Sequence, residues 1–218
     1  MENIAQLCYY HNMKLMLVTK ENLDLAIQTQ NRIFANQNKF DDGTIDFLKG
    51  LSSKPDKEWN FIEHYLVQDR DKIVGCSGLY SYHDNPKEAW LSWFGVLPDA
   101  RKKGYGEQIL AATKEIAKQK GFTALRLYTS GKLYTNACRL YEKSGFTGEK
   151  YTKELPLNLM RLQEKIYSIS LTDKPVTLWN NKHLHIFRHE LFDSILLTEK
   201  KKQRLKDKIL QSENNLSR

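Results

Sequence analysis

The sequence predicts an α/β (α+β) domain in which a mixed, mostly antiparallel central sheet is flanked by helices. Three observations predict it. Short apolar runs between residues 65 and 96 are separated by polar turns, which indicates antiparallel hairpins. A strand, a helix and a strand then follow one another over residues 89–129, which is typical of a right-handed crossover between parallel neighbours. A further helix and two closing strands complete the pattern.

The first half of the chain supplies the antiparallel part of the sheet. Residues 1–12 show no clear period and are expected to form a loose extension. Residues 19–33 place apolar side chains at helical spacing, and a short helix is possible near residues 45–51. The predicted strands of this half are short apolar runs at residues 14–18, 65–67, 73–80 and 89–96.

The second half begins with the clearest helix. Residues 104–120 carry an apolar stripe that includes Ile109 and Ile116, and Gly121 stands where a C-terminal cap belongs. The elements predicted after it are a strand at residues 124–129, a helix at 136–145 and closing strands at 147–151 and 165–171. Residues 1–172 are therefore expected to form one domain.

Residues 173–218 are expected to be a C-terminal extension, with a possible hairpin turning at Asn180-Asn181 and a basic helix over about residues 192–211. Residues 199–208 hold six basic and two acidic side chains, so they supply +4 of the net charge of +8. Such a run is usually the solvated face of a helix, and nucleic-acid binding is not expected. The histidines of the extension lack a third fixed ligand, so no metal site is predicted: His183, His185 and His189.

The chain shows no apolar run long enough to span a bilayer and no secretion signal at its N-terminus. Cys8, Cys76 and Cys138 lack metal-ligand spacing and cannot all pair within one chain. These features favour a cytoplasmic protein without a membrane partner.

A glycine-containing turn, Arg101-Lys102-Lys103-Gly104-Tyr105-Gly106, lies between the apolar run at 89–96 and the following helix. Glycine permits unusual backbone angles, so successive amide N–H groups can point into one concavity at the positive end of the helix. Arg101, Lys102 and Lys103 add positive charge for a ligand that carries several phosphates. The turn matches neither the P-loop nor the dinucleotide fingerprint. Alternatively, the glycines only permit a tight turn and the basic residues are solvated.

A second motif, Asn136-Ala137-Cys138-Arg139-Leu140-Tyr141-Glu142-Lys143-Ser144-Gly145-Phe146, follows some thirty residues later. Together with Val96-Leu97-Pro98 and the turn, it resembles the GNAT superfamily of N-acetyltransferases, and the resemblance covers roughly residues 14–171. It implies a sheet whose parallel strand pair is splayed. It also implies acetyl-CoA as the cosubstrate, direct transfer of the acetyl group to an amine, and no metal.

The resemblance also implies roles for individual residues. The backbone from Phe94 to Val96 would bind pantetheine, the turn at residues 101–106 would wrap the pyrophosphate, and Asn136 would contact the cofactor arm. Tyr141 would be the general acid. Chemistry supports that role, because the departing thiolate needs a proton and a phenol with a pKa of about 10 remains protonated near neutral pH.

The amine side of the site stays open. The general base could be Glu88, His83 or a water chain, and the acceptor could be a small molecule or a peptide amine. The aromatic side chains of the middle strands could shape the acceptor pocket or belong to the core: Tyr80, Tyr82, Trp90, Trp93 and Phe94. The extension could cover the acceptor site or build a homodimer interface. The alternative function is a non-catalytic acyl-CoA-binding module that acts in protein interaction.

Overall fold

The computed structural model describes residues 7–10, 13–34, 59–151 and 164–180. Within these ranges, eight strands form one sheet in the order β1-β2-β3-β4-β5-β6-β8-β7. The strands are β1 (Leu7–Tyr10), β2 (Met13–Leu17), β3 (Trp59–Asp69), β4 (Lys72–Tyr82), β5 (Glu88–Val96), β6 (Ala124–Ser130), β7 (Thr147–Lys150) and β8 (Glu164–Ser170). The α-helices are α1 (Leu23–Ile33), α2 (Tyr105–Gln119) and α3 (Thr135–Lys143).

The predicted fold class is confirmed. In the described sheet β5 and β6 are parallel and every other neighbouring pair is antiparallel. The predicted hairpin is β3–β4, which turns between Asp69 and Lys72, and α2 is the predicted crossover between β5 and β6. Gly121 ends that crossover with a φ of +80°, a backbone conformation that glycine adopts without steric cost.

One expectation about the N-terminus is wrong. Residues 1–12 do not all lie outside the fold, because Leu7–Tyr10 pairs antiparallel with Met13–Met16 and forms the edge of the sheet. A four-residue strand is too short to show a period on its own. Residues 11–12, which connect the two strands, and the predicted helix near residues 45–51 lie outside the described residues.

The two faces of the sheet carry different helices. On one face, called the α2 face here, Ser77 and Thr113 hydrogen-bond at 2.8 Å, and a Cβ on Gly75 would lie 2.9 Å from Ile109 Cδ1. On the opposite face, called the α1 face, helix α1 approaches the sheet just as closely. A Cβ on Gly95 would lie only 2.4 Å from Ile33 Cγ2. Glycines at these two sheet positions therefore let both helices seat directly on the strands.

Residues 171–180 pack against the sheet. The Trp179 ring meets the Trp90 ring edge-on at 5.0 Å between centroids, and Glu149 accepts hydrogen bonds from the backbone N–H groups of Trp179 and Asn180 at 2.5 and 2.7 Å. Residues 176–179 belong to no strand, so the first strand of the predicted hairpin is wrong. The rest of the extension lies outside the described residues, and the domain boundary at 172–173 stays a prediction.

Candidate functional site

The parallel strands β5 and β6 separate along their length. They pair only through Glu88, Ala89 and Trp90 on β5, which lie opposite residues 124–126 of β6. Beyond that point β5 continues to Val96 along β4, and β6 continues to Ser130 along β8. The pair thus has a closed end at Glu88 and an open end at Val96 and Ser130. Among the described residues, no strand lies beside the inner edge of β5 at the open end, so its backbone amides and carbonyls can meet a ligand.

A bulge in β5 stands where the opening begins. Gly78 lies opposite Ser92 while Cys76 lies opposite Gly95, so β5 contains one extra residue between these pairs. Trp93 takes a φ of +45°, which is strained for a side chain of this size, and its carbonyl accepts a hydrogen bond from the Cys76 thiol at 2.9 Å. Because of the bulge, the Trp93 ring packs against Phe34 at the end of α1, and Phe94 turns to the α2 face.

The predicted phosphate turn is exposed and has the backbone form expected of an anion-binding loop. Lys102 and Gly104 have φ values of +61° and +81° on either side of Lys103. Left-handed residues at positions 102 and 104 can turn neighbouring N–H groups towards one side, as in anion-binding loops. Gly104 then begins α2 as its N-cap without a side-chain hydrogen bond. The N–H groups of the first helical turn, which have no partner within a helix, therefore also point out of this turn.

The three basic residues of the turn are placed differently. Arg101 donates to the carbonyl of Val96 and, through a second nitrogen, to that of Ile33, both at 3.1 Å. It therefore ties the open end of β5 to the end of α1. Lys103 donates to the Asp99 carbonyl at 3.0 Å, whereas the exposed Lys102 makes no hydrogen bond or ion pair with the described residues.

The two sequence motifs meet in space. A Cβ on Gly106 would lie 3.3 Å from Leu140 Cδ2, so the start of α2 packs closely against α3. One residue further along α3, the Tyr141 ring lies 6.1 Å from Phe94 of β5 and 5.5 Å from Tyr167 of β8. Tyr141 therefore bridges the two sides of the opening on the α2 face. Asn136, in the first turn of α3, is exposed.

The surroundings of Tyr141 favour its protonated form. Burial raises the pKa of the phenol well above its ordinary value, and the neighbouring Cys138 adds to the shift. The hydroxyl has no hydrogen-bond partner among the described residues. A neutral phenol in this position can donate a proton at any physiological pH.

The two side chains considered from sequence as general bases lie at the closed end. The Glu88 carboxylate accepts two hydrogen bonds of 2.8 Å from Arg126, whose side chain is only 2% exposed and also donates to Ser168 at 2.7 Å. His83 is exposed in the turn that precedes β5. Neither residue borders the opening.

Sequence reasoning missed Glu164, the first residue of β8. It lies opposite Ser130 at the open end of β6 and is 4% exposed. Burial alone raises the pKa of its carboxyl from 4.5 to about 7. The sequence offered only one signal, namely that Glu164 alternates with Ile166 and Ser168 of the predicted strand, so the three share a face if the strand begins at Glu164. Only the register with β6 shows that this face is buried.

The aromatic side chains of the middle strands divide between core and opening. Tyr80, Tyr82 and Trp90 are buried and pack on one another with ring centroids 5.5 to 6.3 Å apart. Trp179 closes this group and lies against the Arg126 guanidinium at 5.3 Å. Only Trp93 and Phe94 of the predicted set stand at the open end.

Two further features concern the described ranges only. Residues 13–34, 59–151 and 164–180 contain no group of three His, Cys, Asp or Glu side chains close enough to hold a metal ion. Within the described part of the chain, no helix is both long and apolar enough to cross a membrane.

The diverging parallel pair, the amide-lined turn before α2 and the tyrosine between the strands define a GNAT-type fold. The chain belongs to the acetyltransferase (GNAT) family, whose family model matches residues 34–146, just over half of the 218 residues. The resemblance seen in the sequence is thereby confirmed.

The relatives agree with this membership. The uncharacterized N-acetyltransferase YycN of Bacillus subtilis (strain 168) is 31% identical over 99 residues, which are 45% of this chain and 60% of that protein's length. The spermidine N-acetyltransferase from Vibrio cholerae, solved in complex with CoA and spermine, superposes with a TM-score of 0.57 at 16% identity over 73% of this chain and 96% of its own. The ribosomal-protein-S18-alanine N-acetyltransferase from Escherichia coli superposes with a TM-score of 0.53 at 16% identity. The superposition covers 77% of this chain and 99% of that protein. At such identities the two structures show the fold alone.

Proposed function

We propose that this chain transfers the acetyl group of acetyl-CoA to a primary amine by direct attack, and that the open end of the β5–β6 pair is its active site. The observation that carries the proposal is the position of Tyr141, whose ring lies across the α2 face of the opening, between Phe94 of β5 and Tyr167 of β8, the strand next to β6. The turn at residues 101–106 abuts the same helix through Gly106 and Leu140. An anion site and a proton donor thus lie along one path on the α2 face.

In this proposal the cofactor's pyrophosphate lies on the amides of residues 102–106, with Lys102 as the mobile cation. The pantetheine arm runs along the unpaired backbone from Phe94 to Val96 into the opening. Arg101 supports this path by holding the Val96 carbonyl, and Asn136 contacts the arm from the first turn of α3. Family membership supports acetyl-CoA as the cosubstrate.

The reaction that follows is aminolysis of a thioester. The amine nitrogen attacks the carbonyl carbon, a C–N bond forms, and the C–S bond breaks. The departing thiolate takes the phenolic proton of Tyr141, which the second amine proton replaces through solvent. Because the cofactor arm and Tyr141 occupy the α2 face, the amine approaches from the α1 face.

The substitution Tyr141→Phe tests the proposal, since it keeps the buried ring and removes the proton donor. We expect the rate of thiol release with an amine acceptor to fall at least about tenfold, while acetyl-CoA affinity, measured by calorimetry, stays unchanged. Tyr65→Phe is the matched control, because Tyr65 is an equally buried tyrosine on β3 whose hydroxyl donates to Glu63. Equal rates for Tyr141→Phe and wild type would show that Tyr141 is not the proton donor, whereas a wild type that binds acetyl-CoA but acetylates no amine would favour the alternative, a non-catalytic acyl-CoA-binding module. Failure to bind any CoA ester would overturn both functions.

A further inference from the structure

The α1 face of the open end carries one carboxyl group that no structural role accounts for. Glu164 is buried, and no hydrogen bond or ion pair to its carboxylate is found among the described residues. Burial of an ionisable group without a partner costs stability, so a protein that retains one commonly uses it.

The register of the sheet fixes the face on which Glu164 stands. Arg126 and Ser168 are cross-strand partners whose side chains hydrogen-bond to each other, and Trp179 covers the same guanidinium. Alternate residues of a strand share a face, so two steps of two residues along β8 bring Glu164 to the face of Ser168. Tyr167, which contacts Tyr141, lies on the other face. Glu164 and Tyr141 therefore stand on opposite faces of the sheet.

Glu164 is also close to the opening along the sheet. Its partner Ser130 is the last residue of β6, the strand that borders the opening. Adjacent strands lie about 4.8 Å apart, so Glu164 is one strand spacing from that border. Ser130 on one side and Tyr151, whose backbone N–H donates to the Glu164 carbonyl at 2.8 Å, on the other are both buried.

We propose, on the basis of the function proposed above, that Glu164 is the general base, which receives the ammonium group of the acceptor on the α1 face and takes its proton. The ammonium transfers one proton to the carboxylate and becomes a free amine. That amine then attacks the thioester, and the proton on Glu164 passes to solvent after the product leaves. In this proposal Glu164 removes a proton from the attacking amine on one face of the sheet, and Tyr141 donates a proton to the departing thiolate on the other.

The surroundings of Glu164 suit this task. Its neighbours across the strands are the neutral side chains of Tyr128, Ser130 and Tyr151. The charged groups along the same face, Arg126 and Glu149, are engaged with Glu88 and with backbone N–H groups. Burial therefore sets the pKa of the carboxyl, at about 7, and a base is most effective when its pKa is near the working pH.

His64 is a further buried titratable side chain on the α1 face near the bulge. A Cβ on Gly78 would lie 2.5 Å from His64 Nδ1 and 2.6 Å from Ser92 Oγ, so both side chains reach over this glycine. Burial lowers the pKa of His64 to about 3. An imidazole that weakly basic holds a proton poorly at neutral pH, so His64 is less suited to accept one from an ammonium group.

The test compares Glu164→Gln and Glu164→Asp with wild type in the thiol-release assay, using a primary amine that wild type acetylates. We expect Glu164→Gln to lower kcat/KM for the amine about 10²- to 10⁴-fold. For wild type, kcat/KM should rise about tenfold per pH unit below 7 and then level off, and this dependence should disappear in Glu164→Gln. Glu164→Asp should recover part of the rate with its pH dependence.

The matched control is Glu115→Gln, which removes the same charge from an exposed pair with Lys118 on α2. It should leave both the rate and the pH profile unchanged. If Glu164→Gln keeps the wild-type rate and profile, the inference about Glu164 fails while the proposed acetyltransferase function stands. A loss of rate with an unchanged pH profile would also overturn it, since that result describes a structural residue. If wild type acetylates no amine, the proposed function fails and Glu164 has no such role.

Discussion

Glu88 and Glu164 are two carboxylates on the same face of the sheet, at opposite ends of the β5–β6 pair. At the closed end, Arg126 meets Glu88 through two hydrogen bonds of 2.8 Å, and Trp179 covers the guanidinium. At the open end, Glu164 is buried beside hydroxyl groups, and no described residue places a cation against its carboxylate. Among the described residues, the buried charge at the closed end is paired and the buried carboxyl group at the open end is not.

The backbone shows the same difference. At the closed end, Trp90 pairs with Tyr80 of β4 on one side and with Arg126 of β6 on the other. At the open end, the bulge holds Trp93 at a positive φ, and the inner edge of β5 faces no strand of the described part of the chain. Strain and unmatched polar groups are expected where a fold binds a ligand. The comparison teaches that the buried ion pair of this sheet lies at one end of the parallel pair and the proposed chemistry at the other.

Removal of the Glu88 charge should have the largest effect on folding. Glu88→Gln leaves Arg126 buried without a counter-charge, so the free energy of unfolding should fall by about 3 kcal/mol. Urea denaturation followed by circular dichroism measures it. The matched control is Glu107→Gln, which breaks the exposed pair with Lys143 and should cost less than about 1 kcal/mol. Equal losses for the two variants would show that the closed end does not depend on its ion pair.

Removal of the Glu164 charge should have the opposite sign. The carboxyl titrates near 4.5 when unfolded and near 7 when folded, so the folded state loses stability as the pH rises from 4.5 to 7. Glu164→Gln removes that loss. At pH 8 the variant should be more stable than wild type by roughly 2–3 kcal/mol, and at pH 4 the two should be equal.

Denaturation curves at the two pH values measure this difference, with Glu115→Gln as the control that should follow wild type at both. A Glu164→Gln variant that is no more stable than wild type at pH 8 would mean that the ionised carboxylate has a partner. Glu164 would then resemble Glu88, and the contrast between the two ends would be lost.

Most of the fold could be predicted from the sequence because its signals are local. Apolar runs, polar turns and the capping glycine Gly121 place the described strands and helices of the predicted domain to within about two residues, except β1, β3 and the start of α1, which lies at Leu23 rather than residue 19. The strand β3 was predicted only at residues 65–67, because Glu63 and His64 interrupt the apolar run. In the structure Glu63 pairs with Lys120 at 2.8 Å, so a tertiary contact accounts for the polar residue. The edge strand β1 was missed because its pairing, rather than its composition, defines it.

The candidate site divides in the same way. The turn at residues 101–106 and the helix that carries Tyr141 are local patterns, so both could be predicted from the sequence. The open end depends on where β5 separates from β6 and on the bulge at Trp93. Neither feature can be predicted from a short sequence pattern. Glu164 depends on one more step, the register between β6 and β8. The proposed general base was therefore the part of the candidate site that the sequence alone was least able to predict.

The smallest expected effect concerns the turn that begins α2. Gly104 has a φ of +81°, and a Cβ there would meet nothing closer than Gln108 Nε2 at 3.6 Å. Gly104→Ala should therefore cost only the backbone strain, about 1 kcal/mol. Gly121, at the other end of the helix, has a φ of +80° and open space around it, so Gly121→Ala should cost the same. The two variants differ only in whether the strained residue lies on the proposed pyrophosphate path.

Calorimetric titration with acetyl-CoA separates the two glycines. If the amides of the turn hold the pyrophosphate, and the alanine at position 104 relaxes out of the left-handed conformation in the free protein, binding must restore that conformation at a cost of up to about 1 kcal/mol and should weaken by up to about fivefold. The affinity of Gly121→Ala should equal that of wild type. If both variants bind acetyl-CoA with equal affinity and lose equal stability, Gly104 only permits a tight turn between a strand and a helix and does not contribute to binding. The open end would then have to bind its cofactor without the amide concavity.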